Sequence, residues 1–214
     1  MTTPWLRLLG LAGATVMAAT ALANPARAEP GPTPGIGVSH ESGGCTAGFA
    51  AEGNDGSYYF ITSGHCDEHE DQLWTYGQDF PLGKITVSEK VREKDAAIIR
   101  LDPSIGKPTG DVGGRYRVRN VLSRADIQVG MPFCKIGAVT GETCGAITAV
   151  DCCVVEASVF SLNGDSGSPG FIKNADGTVS AVGILRDSPD GDDYTTYFTL
   201  VHPLLSKWGL RILA

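Results

Sequence analysis

Short segments rich in β-branched and aromatic residues recur along this chain and constrain its fold more than any other feature. Gly, Asn and Asp separate them, as is typical of antiparallel strands joined by turns. The segments are residues 58–62, 82–87, 96–101, 115–118, 146–150, 154–159 and 179–185. Only residues 203–209 indicate a helix, because Pro203 marks a start and Gly209 a stop around an apolar stripe. The pattern predicts an all-β domain, a sandwich or barrel, with a short C-terminal helix.

The N-terminal segment has the layout of a secretory signal peptide. Arg7 precedes an apolar run over residues 8–19, and Ala26-Arg27-Ala28 follows as a small-residue cleavage site. A membrane anchor is the alternative, but the run is shorter than the roughly 20 residues that span a bilayer. We therefore predict a signal peptide over residues 1–28 and a secreted, extracellular protein of residues 29–214 with no membrane span.

The charge of the chain disfavours nucleic acid as a partner. It has 17 Lys and Arg against 24 Asp and Glu, a formal net charge of −7, and no basic stripe. The acidic clusters at residues 67–71 and 190–193 lack the spacing of a calcium loop and are expected to be solvated. We expect no metal ion and no organic cofactor.

Six cysteines in a secreted chain predict disulfide bonds, although the sequence alone does not choose among the possible pairings. Cys152 and Cys153 are adjacent, so in a regular strand their side chains would point to opposite faces. A bond between them would distort the backbone, because neighbouring Cα atoms about 3.8 Å apart lie below the usual disulfide range. Two thiols, or a thiol paired outside the chain, are the alternatives.

Two short motifs carry residue types suited to nucleophilic catalysis. In Thr62-Ser63-Gly64-His65-Cys66 an apolar strand ends at a histidine, and Gly164-Asp165-Ser166-Gly167-Ser168-Pro169 places a serine between glycines. A serine hydroxyl needs a neighbouring base to attack at neutral pH, and that base needs a third group to orient it. Flanking glycines permit a sharp turn that aims backbone N–H groups at a developing oxyanion.

These motifs resemble those of the chymotrypsin-like serine proteases, most closely the small secreted actinobacterial branch that includes the streptogrisins and α-lytic protease. The resemblance runs from about Cys45 to the C-terminus, and Lys94-Asp95-Ala96-Ala97-Ile98-Ile99 is similar to the aspartate strand of that family. It implies Ser166 as nucleophile, His65 as general base and Asp95 as the orienting acid. Rival aspartates do not immediately precede a strand that reads as buried. They are Asp67, Asp71, Asp79, Asp102 and Asp111.

The resemblance also implies an architecture and an activity. Two antiparallel β-barrels of the trypsin-like fold are expected, the first over about residues 35–114 and the second over about 115–214, with the active site between them. Backbone N–H groups of Gly164 and Ser166 would form the oxyanion hole. The implied function is a secreted, monomeric serine endopeptidase that hydrolyses peptide or protein substrates through an acyl-enzyme.

Further pairings follow from the resemblance alone. It implies the disulfides Cys45–Cys66 and Cys134–Cys144, and leaves Cys152 and Cys153 without counterparts in the family. It also implies an ion pair between Lys135 and Asp165, the residue before the nucleophile. A metal site is the alternative to this disulfide, because His65 and His69 are spaced like paired ligands on a helix and lie beside Cys45 and Cys66. Secretion favours the Cys45–Cys66 disulfide over the metal site.

Departures from the family pattern bear on specificity and turnover. Ser168 stands where a glycine is usual, Val139 where a threonine is usual, and residues 185–188 where the substrate-binding edge strand usually reads Ser-Gly-Gly. In that strand, Leu185-Arg186-Asp187-Ser188, the charged side chains either narrow the cleft or face solvent. No histidine could be placed in the pocket wall, which disfavours acidic specificity. The alternatives are a weakly active or inactive binding module and a narrow-specificity esterase.

Overall fold

The computed structural model describes Met1 and residues 31–41, 43–68, 72–91 and 94–214. Two compact units are distinguished, Met1–Pro30 and Gly31–Ala214, and the fold below is that of the second. The predicted signal peptide, apart from Met1, lies outside the described residues. No helix within the described ranges is long and apolar enough to cross a membrane.

Strands dominate the chain, as the sequence predicts. They are β1 Gly37–His40, β2 Gly43–Thr46, β3 Ala50–Gly53, β4 Tyr58–Thr62, β5 Leu73–Tyr76, β6 Phe80–Val91, β7 Lys94–Leu101, β8 Val118–Val121, β9 Pro132–Gly137, β10 Gly141–Val150, β11 Val154–Ala157, β12 Pro169–Lys173, β13 Val179–Asp187, β14 Thr196–Leu200 and β15 Leu210–Ile212. The helix α1 spans Val201–Trp208, and single 3₁₀ turns lie at Gly64–Cys66, Pro103–Ile105 and Arg124–Asp126.

The strands form two sheets. An eight-stranded sheet with the order β15-β3-β4-β7-β6-β5-β1-β2 makes a half-barrel. In the second sheet, β12-β9-β10-β11-β14-β13 closes into a six-stranded barrel through β12–β13 pairing, and β8 joins β13 in parallel. This is the predicted trypsin-like fold, although the first of its two sheets is open rather than closed.

The two sheets share one apolar core as well as having their own. Phe60 and Trp74 are fully buried or nearly so within the first sheet, and Phe133 and Phe198 pack edge to face within the second at 4.7 Å. A further cluster combines Ile61 and Ile98 of the first sheet with residues of the second. Their burial away from water is the main force joining the sheets.

The C-terminus differs from the sequence-based division of the barrels. The helix begins at Val201, two residues before Pro203, and ends at Trp208. Gly209 caps it with a φ of 62°, the left-handed conformation that favours glycine. Strand β15 then pairs with β3 of the first sheet. The range assigned to the second barrel, about 115–214, therefore includes a strand that belongs to the first.

Candidate active site

His65 and Asp95 meet at the edge of the first sheet. His65 lies in the 3₁₀ turn that follows β4, and Asp95 is the second residue of β7. The His65 Nδ1 atom is 2.6 Å from Asp95 Oδ2, and the His65 backbone N–H donates to Asp95 Oδ1 at 2.7 Å. Asp95 is 8 % exposed, whereas the His65 side chain is 46 % exposed. The carboxylate thus holds the ring through Nδ1 and the backbone of His65 through its N–H, while nearly half of the His65 side chain stays exposed.

Gly64 makes this arrangement sterically possible. A Cβ atom at position 64 would lie 2.0 Å from the carbonyl oxygen of Glu89 and 2.9 Å from Asp95 Oδ1. The chain must therefore carry glycine immediately before His65 for the turn to pack against β6 and β7. The disulfide between Cys45 and Cys66 fixes the other side of the turn. Sequence reasoning assigned this glycine to the motif without identifying the close approach.

Ser166 sits in a turn between two glycines with left-handed backbone. Gly164 has a φ of 98° and Gly167 a φ of 91°, a region that L side chains rarely adopt. The Ser166 carbonyl accepts from the backbone N–H of Thr46 at 2.7 Å, and the Gly167 N–H donates to Leu185 at 2.9 Å. Both sheets therefore hold this turn in place.

The backbone N–H groups of Gly164 and Ser166 are the predicted oxyanion donors. Neither donates a hydrogen bond to any residue that the structure describes. The Gly164 carbonyl is held by the Thr46 hydroxyl at 2.9 Å, which fixes the orientation of the following peptide plane. Both residues are half-buried, so these N–H groups are free to donate to solvent or to a bound group, and the oxyanion hole stays a prediction.

Asp165, which precedes Ser166, is bound to a buried lysine. Lys135 Nζ lies 3.0 Å from Asp165 Oδ2, and both side chains are 0 % exposed. Asp165 also accepts from the backbone N–H groups of Val139, Thr140 and Leu162 at 3.0–3.1 Å. Burial opposes ionisation of Asp165, but hydrogen bonds from Thr140, Leu162 and Lys135 outweigh it, so its pKa lies below the usual value. The pKa of Lys135 is lowered by burial, which the contact with Asp165 offsets only in part.

Ser166, His65 and Asp95 line one cleft of about 660 Å³. The remaining lining residues are Lys90, Val91, Ser161, Leu162, Asn163, Leu185, Arg186, Asp187, Ser188, Pro189, Asp190, Gly191 and Asp193. The His65 side chain bonds to Asp95, and no hydrogen bond joins it to Ser166 Oγ in the described chain. Catalytic contacts of this kind are often long without substrate and shorten in the reacting complex.

The edge strand at residues 185–188 lines the same cleft, as its predicted role requires. Leu185 is buried and exchanges backbone bonds with Gly167 and Ser168 at 2.9 Å each. The Arg186 side chain is only 16 % exposed, lies over the Tyr197 ring at 5.6 Å and pairs with Asp187 at 3.0 Å. The sequence left two alternatives for Arg186, that its side chain narrows the cleft or that it faces solvent, and the second is therefore wrong.

A chain of hydroxyl groups at the cleft was missed by sequence reasoning. Ser161 Oγ lies 2.9 Å from Thr196 Oγ1 and 3.1 Å from Ser188 Oγ. Thr196 Oγ1 donates to the carbonyl oxygen of Val159 at 2.8 Å. Since Thr196 has a single hydroxyl hydrogen, Ser161 must donate to Thr196, and Ser188 must then donate to Ser161. Ser188 therefore offers the cleft only acceptor lone pairs.

The side chains that line the cleft carry a net negative charge when those already in ion pairs are left out. Arg186 pairs with Asp187, and Lys90 pairs at 3.6 Å with a carboxylate outside the lining. Asp190 and Asp193 form no ion pair with any residue in the described ranges. The sequence expected this acidic stretch to be a solvated loop. The sequence gave no sign that this stretch borders the cleft.

The departures at positions 168 and 139 are accommodated locally. The buried Ser168 hydroxyl donates to the Asp165 carbonyl at 2.5 Å, and Val139 contributes its backbone N–H to the same aspartate. The Thr140 hydroxyl, one residue later, donates to Asp165 Oδ2 at 2.6 Å. A threonine hydroxyl thus reaches Asp165 from the position after Val139.

The cysteines follow the pairings implied by resemblance. The disulfides Cys45–Cys66 and Cys134–Cys144 are present, whereas Cys152 and Cys153 are not joined, their sulfurs lying 2.8 Å apart. Cys45, His65 and Cys66 group their ligand atoms within 4.8 Å, but both sulfurs are in a disulfide. His69, the other ligand of the metal reading, lies outside the described residues.

In comparisons with known proteins, no protein-family model matches the chain. The chain is 28 % identical over 185 residues to Serine protease 1 of Streptomyces fradiae, covering 78 % of this chain and 48 % of that protein. It therefore spans about half the length of that relative.

Solved structures of similar fold cover nearly the whole described domain. A Nocardiopsis protease matches with a TM-score of 0.71 and 26 % identity. The match covers 85 % of this chain and 98 % of that protease. A glutamic acid specific serine protease that utilises a histidine triad in substrate binding also has a TM-score of 0.71, with 23 % identity. The match covers 85 % of this chain and 100 % of that protease. The structural neighbours of this chain are chymotrypsin-like serine proteases, including enzymes from actinobacteria.

Proposed function

We propose that this chain, which has the trypsin-like fold and resembles actinobacterial serine proteases in sequence and structure, is a secreted serine endopeptidase. The observation that supports the proposal is one cleft lined by Ser166, His65 and Asp95, in which the His65–Asp95 pair is already formed. The backbone N–H groups of Gly164 and Ser166 lie in the turn that carries Ser166 and donate to no described residue. A nucleophile, an oriented base and oxyanion donors are the groups that acyl transfer requires.

In this mechanism His65 accepts the proton of Ser166 as the hydroxyl attacks the scissile carbonyl. Asp95 holds Nδ1 as the protonated nitrogen and stabilises the imidazolium that forms. The N–H groups of Gly164 and Ser166 would bind the oxyanion, and collapse of the tetrahedral intermediate would release the amine with the proton from His65. Water then hydrolyses the acyl-enzyme by the same steps in reverse.

The cleft also supports a preference for substrate side chains that end in N–H donors. Ser188 presents acceptor lone pairs, and neither Asp190 nor Asp193 forms an ion pair with another described residue, so a lysine or arginine side chain would find both a hydrogen-bond acceptor and negative charge here. A carboxylate would break the hydroxyl chain and face like charge. The glutamic acid specific neighbour uses a histidine triad, whereas of the histidines described here only His65 lines the cleft.

A binding module with little turnover is the second candidate. It is favoured by Arg186, which occupies the cleft where the resemblance predicts glycine and is held there by Tyr197 and Asp187. An ordered arginine at this position narrows the room for an extended peptide. It does not obstruct a small reagent that reaches Ser166 directly.

Labelling with a fluorophosphonate and digestion of a peptide library together separate the two candidates, and labelling without peptide cleavage would also support the binding module, because the narrowed cleft still admits a small reagent. The endopeptidase predicts one covalent adduct per chain on Ser166, abolished in Ser166→Ala and retained in Ser168→Gly, which carries the residue usual in the family. Absence of an adduct on protein with a normal unfolding transition would support the binding module instead. Peptide-library digestion then reports whether labelled protein cleaves peptides and whether cleavage follows lysine or arginine.

A further inference from the structure

We propose that Cys152 and Cys153 form a redox-active dithiol that undergoes thiol–disulfide exchange with small disulfides. Neither residue lines the cleft, and the resemblance gives neither a counterpart. Their sulfurs are 2.8 Å apart, against the ~2.05 Å of a disulfide bond, so the two sulfurs already lie in contact.

The backbone presents this pair at the tip of a hairpin. Strands β10 and β11 pair antiparallel, and the Asp151 N–H donates to the Val154 carbonyl at 2.9 Å, leaving the two cysteines as the turn. Arg124 donates to the carbonyl oxygens of Asp151 and Val150 at 2.7 and 3.0 Å. The turn is thereby anchored on its first strand.

The second side of the turn is anchored to the barrel. The Cys153 carbonyl accepts from the Leu200 N–H at 2.8 Å, and β11 continues into pairing with β14. Cys152 is exposed and Cys153 half-buried. A fixed turn with one accessible sulfur and a second in contact is the arrangement of an attacking and a resolving thiol.

The exchange balances in two steps. The Cys152 thiolate attacks one sulfur of a small disulfide, forming a mixed disulfide and releasing one small thiolate. The Cys153 thiolate then attacks Cys152 Sγ, forming the Cys152–Cys153 bond and releasing the second thiolate. Two protein thiols are oxidised, losing two protons and two electrons, while one small disulfide is reduced to two thiols.

The product would be more readily reduced than the other disulfides. Adjacent Cα atoms lie about 3.8 Å apart, below the usual disulfide range, so the bond forms only with distortion of the turn. Exposed and strained disulfides have more oxidising potentials than relaxed buried ones. Cys45 and Cys66, by comparison, are both buried, with Cα atoms 6.4 Å apart.

Thiol counting with oxidised glutathione as the probe tests this site. After mild reduction, the folded protein should expose two thiols to maleimide. Treatment with oxidised glutathione should then remove both thiols and leave no bound glutathione, because the second thiol displaces the adduct. In Cys153→Ser a stable glutathione adduct on Cys152 should accumulate instead.

Several outcomes would overturn the proposal. They are a stable adduct on the unsubstituted protein, persistence of both thiols, and failure of mild reductant to expose two thiols. Peptide mapping of the unsubstituted protein for a Cys152–Cys153 linkage gives an answer that does not depend on the folding of the variant. Fluorophosphonate labelling of Ser166 should be the same in both redox states, so this test is independent of the proposed enzymatic function.

Discussion

Replacing Lys135 with methionine should destabilise the fold by leaving Asp165 charged and buried. The two side chains are fully buried and 3.0 Å apart. Removing one member of a buried ion pair costs about 3–5 kcal/mol, because the other charge loses its compensation. Asp165 keeps its donors from Val139, Thr140 and Leu162, so we expect a loss at the lower end, about 3 kcal/mol.

The loss should depend on pH in a defined direction. The depressed pKa of Asp165 means that the native pair contributes stability above the unfolded carboxyl pKa, and this contribution is lost as the pH falls through the folded value. In Lys135→Met, desolvation disfavours the charge, and protonation of Asp165 relieves the cost. The difference in unfolding free energy between native and variant protein should therefore shrink as the pH falls from 7 toward 4.

Urea unfolding monitored by fluorescence at both pH values measures these differences. Lys173→Met is the matched control, since Lys173 pairs with Glu142 but is 41 % exposed and should cost less than about 1 kcal/mol. Asp165→Asn combined with Lys135→Met should cost less than the sum of the single changes. A loss in Lys135→Met no larger than in Lys173→Met, or one that grows on acidification, would refute the reasoning.

Three further predictions follow from individual contacts. Asp95→Asn should leave the unfolding transition nearly unchanged yet lower turnover by on the order of 10⁴, because the asparagine amide favours the wrong tautomer of the His65 imidazole; near-normal kinetics would exclude Asp95 as the third residue. Gly64→Ala should lower both stability and labelling, because its Cβ would meet the Glu89 carbonyl at 2.0 Å; an unchanged melting curve and labelling rate would contradict that packing. Thr196→Val should free the Ser161 hydroxyl to donate toward the cleft. The ratio of peptide cleavage after lysine to cleavage after glutamine should then fall, and an unaltered ratio would argue against the hydroxyl chain.

Local patterns in the sequence predicted much of the fold and the candidate site because they depend on neighbouring residues. β-branched segments between turn residues are visible without tertiary information, and so are the motifs around His65 and Ser166. The strand directly after Asp95 likewise identified it among several aspartates, and the structure brings it to His65.

Other features depend on register and on distant contacts that no local pattern encodes. The hydroxyls of Ser161 and Thr196 are brought together only by barrel closure. The inward position of Arg186 depends on a register shift between Leu185 and Asp187 where β13 pairs with β14. Strand β15 joins the first sheet because the helix before it carries the chain back across the molecule.

The most direct test of the central claim is rapid mixing with a peptide ester that ends in lysine, followed by acid quenching and mass mapping of the protein. An acyl-enzyme mechanism predicts an initial burst of about one alcohol per active chain and an acyl group on Ser166. An acyl group on a residue other than Ser166, or turnover that is unchanged in Ser166→Ala, would contradict Ser166 as the nucleophile.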